Sequence, residues 1–243
     1  MPPRHPEFPP EPGFTLNSSE APGVVYELRD VLGAGGKGVA YKAVQHGGER
    51  DGRFCVVKFP RLDFESYTLE QIEKRLEELN RALRTEVEAM EDLVDTVGIA
   101  SILELGARRW QVRKGGRKEI LNIFHTVYEY VEGPDLDAWC EREFPNGNGA
   151  FTGLHDAPTW FLIARQLFEV LDTVHYQRVV HGDLWPHNVK MDPDRQPVLI
   201  DFGQAWSLDR DFEKVSSDLN HHPYLAPERY LSGERVNRWY ATA

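Results

Sequence analysis

The pattern of apolar and polar residues is typical of β-strands from Val24 onward. The segments VVYELRDVL and VAYKAVQH flank the glycine run GAGGKG, and RFCVVKF follows a turn signal at GGERDG. Glycine and aspartate between two apolar runs favour a hairpin, so we expect three successive strands in this part of the chain.

The next stretch has the periodicity of an amphipathic helix instead. Its apolar residues recur at spacings of three and four: Leu69, Ile72, Leu76, Leu79, Leu83, Val87 and Met90. The run is long enough for its first half to be a separate helix. Beyond it the sequence predicts, in order, the strands ASILELGARRWQVR and KEILNIFHTVYEYV joined at Gly115-Gly116, the helix DLDAWCEREF, a loop at NGNGAFTG and the helix TWFLIARQLFEVLDTVHYQ.

The order of these elements predicts the fold class and the domain boundaries. Strands come first and helices second, which indicates an α+β protein with a β-rich lobe over residues 23–130 and a helical lobe over residues 131–243. Residues 1–22 are proline-rich and lack apolar periodicity, so we expect a flexible tail. A plain linker is favoured over a recognition arm there.

Composition excludes several classes of protein. The net charge of -11 argues against a general nucleic-acid binder, which usually has a basic surface. The two cysteines, Cys55 and Cys140, are too few for a disulfide framework and lack zinc-site spacing. The sequence contains no apolar run of the ~18 residues that a membrane span needs and no apolar signal core, so we expect no membrane partner and a cytoplasmic protein.

The glycine run suggests a site for phosphate. Gly33, Gly35 and Gly38 have the G-x-G-x-x-G spacing, and glycine lets a backbone approach phosphate closely. A dinucleotide fold would need a helix directly after this motif, whereas a strand follows here. The context fits a loop that covers phosphates, although a plain glycine hairpin explains the motif taken alone equally well.

Lys58 lies inside the apolar strand FCVVKF. A buried lysine is unfavourable unless its charge is paired, so either this one is an edge residue in solvent or it contacts phosphates and a carboxylate. The long helix offers Glu86 and Glu88. Glu86 shares a face with the apolar Leu83 and Met90, whereas Glu88 falls on the polar side, so Glu86 is the better partner.

Two further segments supply acidic and amide side chains. HGDLWPHN places Asp183 five residues before Asn188, and VLIDFG places Asp201 at the end of an apolar strand. An aspartate can accept the proton of an attacking hydroxyl, and carboxylate and amide oxygens suit magnesium. Asp201 alone would be interpreted as an ordinary turn residue. Together with Lys58, these side chains indicate a catalytic or metal-binding site.

Taken together, these motifs resemble those of the protein-kinase superfamily from about Val24 to Glu228. They occur in the family's order: GAGGKG, VVK, a helical glutamate, HGDLWPHN, DFG and Ala226-Pro227-Glu228. The resemblance implies a protein-kinase-like bilobal fold. It has an antiparallel β-sheet N-lobe with one long helix and a mostly helical C-lobe, which we expect to be incomplete because the chain ends at RWYATA.

The resemblance also implies roles for individual residues, with ATP and magnesium as cofactors. Asp183 would be the catalytic base, Lys58 would pair with Glu86 and ATP, and Asn188 and Asp201 would hold magnesium. Tyr128 would occupy the gatekeeper place. The remaining nucleotide contacts would come from Gly33, Gly35, Gly38, Ala40, Val56, Glu129, Val131 and Asp135. The family usually has valine at the position of Ala40 and alanine at the position of Val56, so the larger and the smaller side chain are exchanged here.

Four positions depart from the family's pattern. Gly182 replaces the usual arginine, Trp185 the lysine that touches the transferred phosphate, and Lys190 the apolar residue beneath adenine, while His221 stands near the usual threonine of the substrate-binding turn. HGDLW also occurs in small-molecule kinases, but the Ala226-Pro227-Glu228 segment favours the protein-kinase branch. We therefore expect a bacterial-type serine/threonine protein kinase, with a nucleotide-binding pseudokinase or a small-molecule kinase as alternatives.

Overall fold

The protein is described from a computed structural model, which covers residues 8–35, 38–64, 66–114, 117–143 and 157–208. Four predictions lie outside the described residues. They are the turn at Gly115-Gly116, the loop NGNGAFTG, and the placements of His221 and of the Ala226-Pro227-Glu228 segment.

The chain divides into two compact units, of which the first contains Met1–Val87 and Ile102–Tyr130. Its centre is a six-stranded antiparallel sheet in the order β1-β2-β3-β4-β6-β5. The strands are β1 (Thr15–Asn17), β2 (Val25–Ala34), β3 (Gly38–His46), β4 (Phe54–Pro60), β5 (Ile102–Lys114) and β6 (Arg117–Glu129). The predicted antiparallel N-lobe sheet is confirmed.

Strand alternation decides which side chains fill the core of this unit. In β4, Cys55, Val57 and Phe59 are buried, whereas Val56 and Lys58 between them point to the opposite face and are half-buried. The buried face packs with side chains of the other strands: Leu16, Tyr26, Leu28, Tyr41, Ala43, Trp110, Val112, Leu121, Ile123 and Val127.

The N-terminal segment corrects one prediction. Residues 8–22 lie within the predicted flexible tail, yet they contain β1, and Phe8 and Leu16 are buried in the core. The Phe8 ring meets Trp110 edge-on at 5.6 Å, and the Phe8 N–H donates to the Gln111 carbonyl at 3.0 Å. The proline-rich composition concealed this, because a few well-spaced apolar side chains suffice to anchor an extended segment.

Helix α1 runs without a break over Leu69–Glu91. The alternative of a separate first helix is therefore wrong. The helix begins with a capping box, in which the Thr68 N–H donates to the Gln71 side chain at 2.8 Å and the Gln71 N–H donates to the Thr68 hydroxyl at 3.3 Å. Ile72 and Leu76, one turn apart, are buried on its apolar side.

The second unit contains Glu88–Ser101 and Val131–Ala243. Its described elements are α2 (Leu136–Glu143), α3 (Ala157–Tyr176), β7 (Val179–Val180), β8 (Val189–Met191), β9 (Pro197–Leu199) and β10 (Trp206–Ser207). Strand β7 pairs with β10 and β8 pairs with β9. One apolar cluster of this unit contains Trp139 and Cys140 of α2, Ile163 of α3 and Met191 of β8. Within the described ranges, the helices are all too short or too polar to cross a membrane.

Candidate active site

The first unit presents Lys58 on the sheet face opposite its apolar core. Ala40 of β3 lies opposite Lys58, and Val56 precedes it by two residues on the same strand. Residues that face each other across antiparallel strands, or alternate along one, share a face of the sheet. Ala40 and Val56, which are predicted to contact the nucleotide, therefore lie on the same face of the sheet as Lys58.

Helix α1 buries Glu86 and leaves Glu88 exposed. The Tyr128 hydroxyl donates a hydrogen bond of 2.5 Å to the Glu86 carboxylate. Sequence reasoning assigned Tyr128 only the gatekeeper place and missed this bond. Only its apolar strand neighbours hinted that its hydroxyl would be buried and would need a partner. The pairing of Glu86 with Lys58 stays a prediction.

The three glycines of the loop differ in the contacts that an added Cβ would make. A side chain at Gly38 would bring its Cβ to 2.4 Å from the Phe59 carbonyl oxygen of β4. At Gly33 and Gly35 an added Cβ would meet nothing within 4 Å. Packing within the described residues thus explains only Gly38, since none of these residues would contact a Cβ at Gly33 or Gly35.

The predicted adenine and ribose contacts fall at the end of β6 and at the start of the second unit. Glu129 ends β6, and its carboxylate pairs with Arg50 at 3.1 Å. The Asp135 carboxylate caps α2 by accepting the Ala138 N–H at 2.8 Å, and it pairs with His187 at 3.0 Å. Although burial acts in the other direction, these hydrogen bonds and the nearby His187 and Lys190 lower the pKa of Asp135. Sequence reasoning missed this engagement of the predicted ribose residue.

The segment HGDLWPHN, residues 181–188, is held in place by contacts of its own side chains. A short 3₁₀ helix spans Pro186–Asn188, and the Asn188 amide donates to the Asp183 carbonyl at 2.8 Å. The His181 ring contacts the Ile200 carbonyl at 3.1 Å and lies against Phe202 with ring centres 4.5 Å apart. These contacts fix the backbone on which the Asp183 carboxylate stands.

Asp201 is brought to the same loop by strand register. Val189 of β8 lies opposite Leu199 of β9, and the Ile200 N–H donates to the Asn188 carbonyl at 3.0 Å. Asp201 follows directly with a φ of 57°, which is uncommon for a residue other than glycine. Its carboxylate accepts the Gly203 N–H at 3.3 Å, which helps to hold this conformation.

The donor chemistry at this loop fits magnesium. Asn188 and Asp201 supply amide and carboxylate oxygens, which are the ligands that magnesium prefers. In the part of the chain that the structure describes, no three His, Cys, Asp or Glu side chains converge on a metal position. Magnesium in nucleotide sites needs only one or two protein ligands, because phosphates and water supply the rest.

Two departures from the family's motif have local explanations. Gly182 has a φ of 76°, and an added Cβ would lie 2.3 Å from the Gln204 carbonyl oxygen, so no arginine fits there. Lys190 donates to the Gly133 carbonyl at 3.1 Å, which gives its ammonium a partner within the second unit. A third, Trp185, packs edge-on against His187 with ring centres 4.4 Å apart.

Comparison with known proteins adds independent information. The family model described as protein kinase domain matches residues 26–239. The serine/threonine-protein kinase PrkC of Bacillus subtilis is 28% identical over 86% of this chain and 27% of that protein. The cell division control protein 2 homolog 3 of Trypanosoma brucei brucei is 29% identical over 86% of this chain and 56% of that protein. The chain thus spans between about a quarter and just over half of the length of these relatives.

Proposed function

Because this chain belongs to the protein kinase domain family, we propose that it transfers the γ-phosphoryl group of ATP, with magnesium, to serine or threonine hydroxyls of a protein. The arrangement around Asn188 carries this proposal. Its side chain donates to the Asp183 carbonyl, and its own carbonyl accepts from Ile200, the residue before Asp201. The proposed base and the two proposed magnesium ligands are thereby tied to one loop system.

In the proposed reaction, Asp183 accepts the proton of the acceptor hydroxyl as that oxygen attacks the γ-phosphorus. The new phosphorus–oxygen bond replaces the bond to the β–γ bridging oxygen, which leaves with ADP. Lys58 binds the α- and β-phosphates, and its ammonium neutralises part of their charge. Asn188 and Asp201 would hold magnesium, which offsets phosphate charge when it is bound.

The proposed contacts to ATP include residues on the same sheet face as Lys58. Ala40 and Val56 offer an apolar surface on that face for adenine. Gly33 and Gly35 lack a Cβ, and no described residue would contact one there, so their backbone could approach phosphates closely. Glu129 and Val131 would bind adenine through their backbone groups. Asp135 would accept a ribose hydroxyl with the acceptor sites left on its two oxygens, one of which also caps α2 while the other contacts His187.

The acceptor class is proposed from the relatives. PrkC is named a serine/threonine-protein kinase, and its similarity covers most of this chain. Trp185 stands where such kinases carry a lysine near the transferred phosphate, so we assign the positive charge that stabilises the phosphoryl transition state to Lys58 and magnesium. We expect phosphorylation of serine or threonine in a protein substrate rather than of a sugar or an amine.

The test uses the whole 243-residue chain with radioactive ATP, magnesium and a mixture of casein and myelin basic protein. We expect label in serine or threonine, a loss of at least about a thousandfold for Asp183→Asn, and no transfer when magnesium is chelated. Asp172→Asn, an exposed change on α3, is the matched control and should retain the wild-type rate.

Two results would reject the proposal. One is a wild-type rate in Asp183→Asn, which would remove the base from the reaction. The other is binding of Mg-ATP without transfer to either protein, which would favour a nucleotide-binding pseudokinase. Consumption of ATP with a panel of sugars, amines and aminoglycosides, but not with proteins, would point to a small-molecule kinase.

A further inference from the structure

We propose that the Tyr128 hydroxyl is a positioning group that holds the Glu86 carboxylate where Lys58 can use it. The inference rests on the proposed function, since it assigns a role within the same site. Its basis is the 2.5 Å hydrogen bond from Tyr128 to Glu86, which joins strand β6 to helix α1. Both side chains are buried, with Glu86 3% and Tyr128 8% exposed.

Burial makes this bond consequential. A carboxylate that leaves water loses the solvent that would otherwise hydrogen bond to it, so a protein donor must compensate. A hydrogen bond to a carboxylate is stronger than one between neutral groups, and it also restrains the direction of the carboxylate. The Tyr128 hydroxyl therefore sets the orientation of Glu86 from a rigid strand.

Strand register places Tyr128 beside Lys58. Lys58 of β4 lies opposite Thr126 of β6, and Tyr128 follows Thr126 by two residues. Tyr128 is therefore a diagonal neighbour of Lys58 on the same sheet face, at a Cα separation of about 7–8 Å. A carboxylate tethered to the tip of Tyr128 is thus kept on the face of the sheet that carries Lys58.

The test compares two tyrosines that differ in location but not in chemistry. Tyr26 is also buried, and its hydroxyl donates to the buried carboxylate of Glu104 at 2.9 Å. Tyr128→Phe and Tyr26→Phe each remove one hydroxyl and keep the ring. We expect Tyr128→Phe to lower kcat about tenfold with little change in KM for the protein acceptor, and Tyr26→Phe to lower Tm at an unchanged kcat.

A double-mutant cycle separates positioning from general stability. If Tyr128 acts through Glu86, Tyr128→Phe should have no further effect on kcat in a Glu86→Gln background. Equal effects of Tyr128→Phe in both backgrounds would overturn the proposal, and so would a kcat of Tyr128→Phe equal to that of the wild type.

The four proteins of this cycle are the wild type, Tyr128→Phe, Glu86→Gln and the double variant. They also distinguish failure of this inference from failure of the proposed function. If the wild type transfers no phosphate, the proposed function fails, and the affinity for Mg-ATP measured by calorimetry replaces kcat. Tyr128→Phe should then weaken Mg-ATP binding only where Glu86 is present. Equal Mg-ATP affinity of the wild type and Tyr128→Phe would in that case reject the role of Tyr128.

Discussion

Tyr26 and Glu104 form a buried hydrogen bond of 2.9 Å between strands β2 and β5, which are not neighbours in the sheet. The same carboxylate accepts the Ser18 hydroxyl and the Ser19 N–H, each at 2.6 Å. Burial and the charge of Glu104 raise the pKa of Tyr26, which keeps its hydroxyl protonated as a donor. One carboxylate thus ties the N-terminal segment to the far edge of the sheet.

We predict that Glu104→Gln lowers the free energy of unfolding by about 1–3 kcal/mol, because three donors lose an ionised acceptor in a buried place. Urea denaturation at pH 7 measures this change. Glu20→Gln is the matched control, since Glu20 is exposed in the same segment, and it should fall within about 0.5 kcal/mol of the wild type. Equal stability of Glu104→Gln and Glu20→Gln would contradict the prediction.

His125 should make the protein sensitive to acid. Burial lowers the pKa of His125 from 6.5 to about 4, although the charge of Glu104 acts in the opposite direction and that of Arg108 in the same one. The folded state favours the neutral ring, so its stabilising contribution is full above pH 6.5 and is lost as pH falls toward 4. The loss amounts to about 3 kcal/mol.

The measurement is the unfolding free energy at several values between pH 7 and pH 4. We expect His125→Gln to be less stable than the wild type at pH 7 and to lose less stability on acidification, so that the two curves converge. His175→Gln, an exposed change on α3, should run parallel to the wild type. A constant gap between His125→Gln and the wild type would show that the ring does not titrate in this range.

Gly38 and Gly33 should respond differently to alanine. The Cβ of Gly38→Ala would lie 2.4 Å from the Phe59 carbonyl oxygen, so β3 and β4 must move apart locally, whereas Gly33→Ala meets no atom within 4 Å. We expect Gly38→Ala to lower Tm by several degrees. Gly33→Ala should leave Tm unchanged and weaken Mg-ATP binding. Thermal unfolding and calorimetry decide this, and equal Tm values would refute the packing argument.

Asp135 should stabilise α2 as its cap. Asp135→Ala removes the acceptor for the Ala138 N–H and should lower the free energy of unfolding by about 1 kcal/mol, whereas Asp135→Asn retains a capping oxygen and should lower it less. Denaturant unfolding at pH 7 compares the two variants. Asp137→Asn, at an exposed neighbouring position, is the control. A larger loss of unfolding free energy for Asp135→Asn than for Asp135→Ala would exclude the role of Asp135 as a cap.

Most strands of the first unit, helix α1 and the kinase motifs could be predicted from the amino-acid sequence. Strands β2 to β6, helix α1 and the burial of Glu86 rather than Glu88 follow from the spacing of apolar residues, because such periodicity is set by near neighbours in the chain. The order of the glycine loop, Lys58 and the Asp183 segment likewise needed no coordinates to indicate the kinase family.

The contacts between side chains that are distant in the sequence could not be predicted in this way. The N-terminal segment joins the core because Phe8 and Leu16 find apolar partners there, which its composition does not reveal. The bond from Tyr128 to Glu86 spans 42 positions and that from Ser18 to Glu104 spans 86. Contacts so distant in sequence depend on strand pairing and helix packing, which no local pattern records.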